Sequence, residues 1–132
     1  MSNSSTERDV RSLITATLSV RDWLTAMEFY KRAFGAIETY RVAGGGVAKL
    51  SVDGGEFWVA EESLAHQNYS PETLGGCSVR MLLIASDPQA ICERAVAAGA
   101  KQLAAVSDSH GWRLGRIVDP AGHHWEIGRE LS

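Results

Sequence analysis

The sequence predicts an α/β (α+β) fold built from two tandem β-α-β-β-β units. Three observations carry this. A strand-like run, an Asp, an amphipathic segment and a Gly-Ala pair occur in that order from Leu13 to Ala36, and again from Val79 to Ala100. Three short strand candidates separated by turn residues follow each copy. A stretch rich in Ser, Asn, Pro and Gly, residues 62–77, divides the copies.

Each element has a local reason. In Leu13–Val20, Ile14, Ala16, Leu18 and Val20 alternate with Thr15, Thr17 and Ser19, giving one apolar face and one polar face. Asp22 and Asp87 cap the first free N–H groups of helices expected near Asp22–Phe34 and Pro88–Ala98. Pro88 suits the first helical position. Trp23, Ala26, Met27, Tyr30, Ala33 and Phe34 recur at helical spacing, as do Ala90, Ile91, Ala95 and Ala98. Gly35 and Gly99 end the helices. The strands that follow are Ile37–Val42, Val47–Val52 and Glu56–Ala60, then Gln102–Val106, Trp112–Val118 and His124–Gly128. Gly44-Gly45-Gly46 lacks a following Gly-Lys-Ser/Thr and reads as a hairpin turn, not a phosphate loop. The units are expected at about residues 12–61 and 78–130 of a single domain spanning 12–132, with residues 1–11 a disordered tail.

With 132 residues, 45% hydrophobic, and a net charge of −3, the chain has material for a core but no basic cluster for a phosphate backbone, so nucleic acid is not expected. No apolar run reaches the ~18 residues of a membrane span, and no signal peptide is evident. Cys77 and Cys92 read as two free thiols in a cytoplasmic protein.

Val20-Arg21-Asp22-Trp23, Ala26-Met27-Glu28-Phe29-Tyr30 and Ala33-Phe34-Gly35-Ala36 form one motif. Gly115-Arg116-Ile117-Val118-Asp119-Pro120-Ala121-Gly122-His123-His124-Trp125-Glu126 forms a second. With the repeat, these resemble the vicinal-oxygen-chelate superfamily (glyoxalase/bleomycin-resistance/dioxygenase), and the resemblance implies that the mixed sheets of both units curl into a cup with the helices outside. The Asp-Pro-x-Gly-His-x-Trp-Glu run resembles its glyoxalase-like branch associated with phosphonate genes. His110-Gly111-Trp112 departs from the Trp-Gly pair which that branch usually places before the Arg equivalent to Arg113.

The resemblance implies four positions for the ligands of a divalent ion. They fall at Thr15, at Arg80 or Met81, near Ala60, and at Glu126. Only Glu126 is a ligand type; Arg has no lone pair to give, and Met and Ala do not suit a hard cation. No metal or other cofactor is therefore expected. A rearranged site of His124, Glu126 and Glu61 is the alternative, since His124 and Glu126 share one strand face. Trp125 and Ile127 read as core. Trp58 and Trp112 suit either the core or a flat pocket wall. His66, His110 and His123 read as solvated or turn-bound histidines.

The leading expectation is a small-molecule-binding protein of the bleomycin-resistance type. Its site would draw on Thr15, Thr17, Trp58, Arg80, Met81, Trp112, Arg116, His124 and Glu126 around a small organic ligand. Glu126 would act as acceptor or charge partner, compensated in the empty protein by Arg80 or Arg116. A metal-dependent lyase, isomerase or dioxygenase is the first alternative, and a non-catalytic partner or regulatory module the second. The resemblance also implies a homodimer that completes the cup.

Overall fold

The computed structural model describes residues 11–132, so the expected tail lies almost wholly outside the described residues. The first unit runs β1 (Thr17–Val20), α1 (Trp23–Phe34), β2 (Ile37–Arg41), β3 (Val47–Val52) and β4 (Gly55–Glu61). A 3-10 turn (Leu64–His66) and the short helix α2 (Pro71–Leu74) follow. The second unit runs β5 (Arg80–Ile84), α3 (Pro88–Ala97), β6 (Lys101–Ser109), β7 (Trp112–Val118) and β8 (His124–Glu130). The sheets have the orders β1-β4-β3-β2 and β5-β8-β7-β6. In each, the first strand lies parallel to the last, and the rest are antiparallel. This is the same unit twice, an α+β fold whose two mixed sheets curl into an open cup.

The caps act as the sequence predicts. Asp22 Oδ1 accepts from Thr25 N at 3.1 Å, and Asp87 Oδ1 from Ala90 N at 3.1 Å. Gly35, at φ 68°, closes α1 in the left-handed region that glycine enters cheaply. In the second copy Ala98 is the cap and keeps a right-handed conformation. The first strand is shorter than expected. It starts at Thr17, and Ile14 is fully exposed instead of packing under a helix. The strands β6 and β8 instead run longer, to Ser109 and Glu130.

One apolar cluster serves both units. Leu18, Val20, Leu50, Phe57 and Val59 of the first sheet pack with Tyr30 and Phe34 of α1. Trp125 of β8 reaches into this group, its ring 4.8 Å from Phe34, 5.3 Å from Phe57 and 5.6 Å from Tyr30. Aromatic pairs at such spacings add to the stabilisation from area burial. Trp125 and Ile127 are core residues, as expected. On the other side β6 and α3 lie so close to Gly115 of β7 that a Cβ there would stand 2.7 Å from Val106 Cγ2 on β6 and 3.1 Å from Cys92 Sγ on α3.

Candidate functional site

Strand alternation assigns the cup face. Beneath the helices, β7 places Gly115 and Ile117 and β8 places Trp125 and Ile127, all buried. The opposite face carries Trp112, Leu114, Arg116 and Val118 on β7, His124 and Glu126 on β8, and Arg80, Leu82 and Ile84 on β5. In the first sheet the same face carries Thr17, Ser19, Lys49 and Trp58.

The two parallel ladders fix which residues are equivalent. Thr17 pairs with Trp58, five residues before the cap Asp22; Leu82 pairs with Glu126, five residues before the cap Asp87. Trp58, not Ala60, is therefore the counterpart of Glu126. Likewise Arg80, not Met81, is the counterpart of Thr15. Met81 sits in register with buried Trp125, packs against the core, and borders a cleft of about 300 Å³ between the units, so it lies off the cup floor. Thr15 precedes β1, and its hydroxyl donates to Glu56 O at 3.2 Å.

Charges on this face are mostly paired. Arg80 Nε lies 3.3 Å from Glu126 Oε2. With Arg80 half-exposed, solvent screening leaves such a pair about 0–1 kcal/mol. Lys49 Nζ lies 3.8 Å from Glu56 Oε1 and 5.5 Å from the Trp58 ring centre, with Tyr40 edge-on to the same ring at 5.9 Å. Arg116, although in register with Glu126, turns instead to His124 and donates from Nη2 to Nδ1 at 2.8 Å. Of the two arginines expected near Glu126, Arg80 pairs with it and Arg116 does not. Lys49 and Tyr40 were not singled out in the sequence; their alternation with Trp58 across β2 and β3 was the available signal.

The rest of the second motif holds the scaffold. Asp119 is buried; its Oδ1 accepts from Ala121 N and His123 N, both at 2.9 Å, and its Oδ2 from Trp125 Nε1 at 2.9 Å and from the Tyr30 hydroxyl. Burial, then the nearby carboxylate charge, push the Tyr30 hydroxyl well above its usual pKa, so it stays a donor. His123 Nε2 meets Ser19 O at 2.8 Å, tying the turn before β8 to β1 of the first sheet. Gly122, at φ 95°, sits where a Cβ would meet Pro71 Cβ at 2.9 Å. His66 and His110 are exposed beside serine hydroxyls.

The family model for a glyoxalase-like domain matches residues 15–128. The chain belongs to that glyoxalase-like family. An uncharacterized protein of Mycobacterium tuberculosis is 33% identical to it over 131 residues, covering 93% of this chain and 77% of the relative. The X-ray structure of a gene product from Arabidopsis thaliana matches with a TM-score of 0.72 at 28% identity, over 91% of this chain and 100% of that one. A glyoxalase/bleomycin resistance protein/dioxygenase family enzyme from Burkholderia phytofirmans shares the fold, with a TM-score of 0.70 at 19% identity over 89% and 98% of the two chains.

The superfamily's divalent ion does not fit this glyoxalase-like chain. The four corresponding positions hold Thr15, Trp58, Arg80 and Glu126, and the one carboxylate is already salt-bridged to the arginine in another of those positions. Three convergent ligands are the minimum for a catalytic ion of this kind. Among the described residues no three His, Cys, Asp or Glu side chains are grouped to hold a metal. His124 and Glu126 share the cup face, but Glu61 lies at the end of β4 beside Trp23, Arg41 and the Gly44–Gly46 turn, so the rearranged set is not assembled.

Proposed function

We propose that this glyoxalase-like protein binds a small organic molecule on its cup face without a divalent metal. One observation carries the reading: the positions that would ligate an ion hold a hydroxyl, an indole and a guanidinium, with the remaining carboxylate paired to that guanidinium. Trp58, flanked by Tyr40 and Lys49, offers a flat wall; Arg80, Arg116, His124 and Glu126 offer fixed polar groups among Leu82, Leu114 and Val118. Trp112 stands at the rim, opposite Glu130. We further propose a homodimer that completes the open cup, supported by the exposed apolar side chains Leu82 and Ile84 on the edge strand β5. Placement in the branch beside phosphonate genes rests on the Asp119–Glu126 motif, and a cytoplasmic site on the free thiols Cys77 and Cys92.

Elemental analysis of protein purified without chelators tests the reading. Substoichiometric metal, unchanged in Glu126→Gln, is expected, together with stabilisation by organic ligands in a thermal-shift screen. Near-stoichiometric Zn, Ni, Mn or Fe that disappears in Glu126→Gln would overturn it in favour of a metalloenzyme. Sedimentation of a clean monomer at micromolar concentration would remove the dimer.

A further inference from the structure

Among the described residues, ion pairing accounts for every charge on the middle of the cup face except one. Glu126 is held by Arg80, and Glu56 lies beside Lys49. Lys101 and Glu130 are exposed at the ends of their strands. Arg116 lies in the middle of β7 and is only partly exposed. Among the described residues no carboxylate comes within ion-pair distance of it.

Its surroundings sharpen the imbalance. A guanidinium cannot shed its proton, so the charge is permanent. Its Nε is buried with no hydrogen-bond acceptor. Among the described residues its side-chain hydrogen bond is to His124 Nδ1, which accepts in the tautomer that carries its hydrogen on Nε2. Leu114 and Val118 on the same strand and Leu82 across β8 are apolar and reduce screening. A partly desolvated cation without a counter-charge is costly, and an anion placed beside it relieves that cost.

We propose that Arg116 anchors the carboxylate of an apolar or aromatic organic acid, with His124 Nε2–H as a second donor. This rests on the metal-free reading of the cup and adds the charge and chemical class of the ligand. A carboxylate matches the single uncompensated charge and the planar fork of the guanidinium. A phosphonate dianion would need a second free cation, and Arg80 is engaged. The sequence pointed to Glu126 as the group offered to a ligand; the ion pairs point to Arg116.

Isothermal titration of the full chain with naphthoate, naphthylmethanol, naphthylmethylamine and naphthylphosphonate tests this. Naphthoate is expected to bind most tightly. Arg116→Gln should weaken it roughly tenfold to hundredfold, the loss expected for a charge-assisted contact, while leaving the weak binding of the alcohol unchanged. Glu126→Gln should tighten naphthoate binding by releasing Arg80, a gain that a misfolded variant would not produce. Alcohol or amine binding as tightly as naphthoate, unchanged naphthoate binding in Arg116→Gln, or weaker binding in Glu126→Gln each overturns the proposal. So does a preference for the phosphonate, or no binding by any of the four. These outcomes leave metal content untouched, so the metal-free reading stands or falls separately by elemental analysis.

Discussion

The hydroxyl of Tyr30 donates to the buried carboxylate of Asp119, joining helix α1 of one unit to the β7–β8 turn of the other across 89 positions of sequence. Asp119 also orders its own turn and receives the Trp125 indole N–H, so this carboxylate collects four donors. Tyr30→Phe removes one donor to a buried charge and should cost about 1–3 kcal/mol in urea unfolding. Asp119→Ala, which strips partners from all four donors, should cost more than Asp119→Asn. Losses near zero in both Asp119 variants would show that the carboxylate is not what holds the turn.

Gly115 is required by close approach, since its φ is ordinary and the space is not. Gly115→Ala should destabilise by about 1–3 kcal/mol through overpacking against Val106 and Cys92. Val106→Ala in the same chain should recover part of that loss, because the nearest clashing atom, Cγ2, is then gone. Strict additivity of the two changes in thermal unfolding would count against direct contact.

Glu62 accepts from Ser70 N at 2.9 Å and from the Thr73 hydroxyl at 2.7 Å, with Arg21 nearby at 3.5 Å. The Ser70 N–H first and the Thr73 hydroxyl second hold its pKa at about 2, below the ordinary 4.5. A lowered carboxylate pKa stabilises the fold above the unfolded value, and that stabilisation fades as pH falls through the folded one. Wild type should therefore exceed Glu62→Gln in Tm at neutral pH, and the gap should close between pH 4.5 and about 2. A gap that is independent of pH would deny the carboxylate this role.

Trp58 is half-buried and lies on the opposite face of β4 from core residues Phe57 and Val59. Trp58→Ala should leave the unfolding transition nearly in place and weaken ligand binding by about 1–3 kcal/mol. Trp112→Ala at the rim should weaken it less. Calorimetry on both variants with whichever naphthyl probe binds checks this order, and a larger loss for Trp112 would move the ligand outward along β7.

The repeated unit was legible because its signals are local: Asp22 and Asp87 at the caps, Gly35 at a stop, and alternation in β3 and β7. The site was less so. The resemblance put the counterpart of Glu126 near Ala60, but the second unit joins its last two strands through Asp119–His123 and the first through Asp53-Gly54 alone, so the two units are not equal in length there. Only the parallel register shows that Trp58 is the true counterpart. Short helix α2 carries a signal in Ser70-Pro71, a cap followed by Pro at the first helical position. The choice of Arg80 over Arg116 as partner for Glu126 depends on side-chain direction across three strands, which no pattern in the chain encodes.

Trp125 has a further consequence. Its ring belongs by sequence to the second unit and by contact to the first, among Tyr30, Phe34 and Phe57. Neither half can bury its own aromatic surface alone. A chain cut between α2 and β5 should therefore give two fragments that are unfolded apart and recover the native near-ultraviolet dichroism on mixing, the behaviour of complementing halves rather than of two beads on a string.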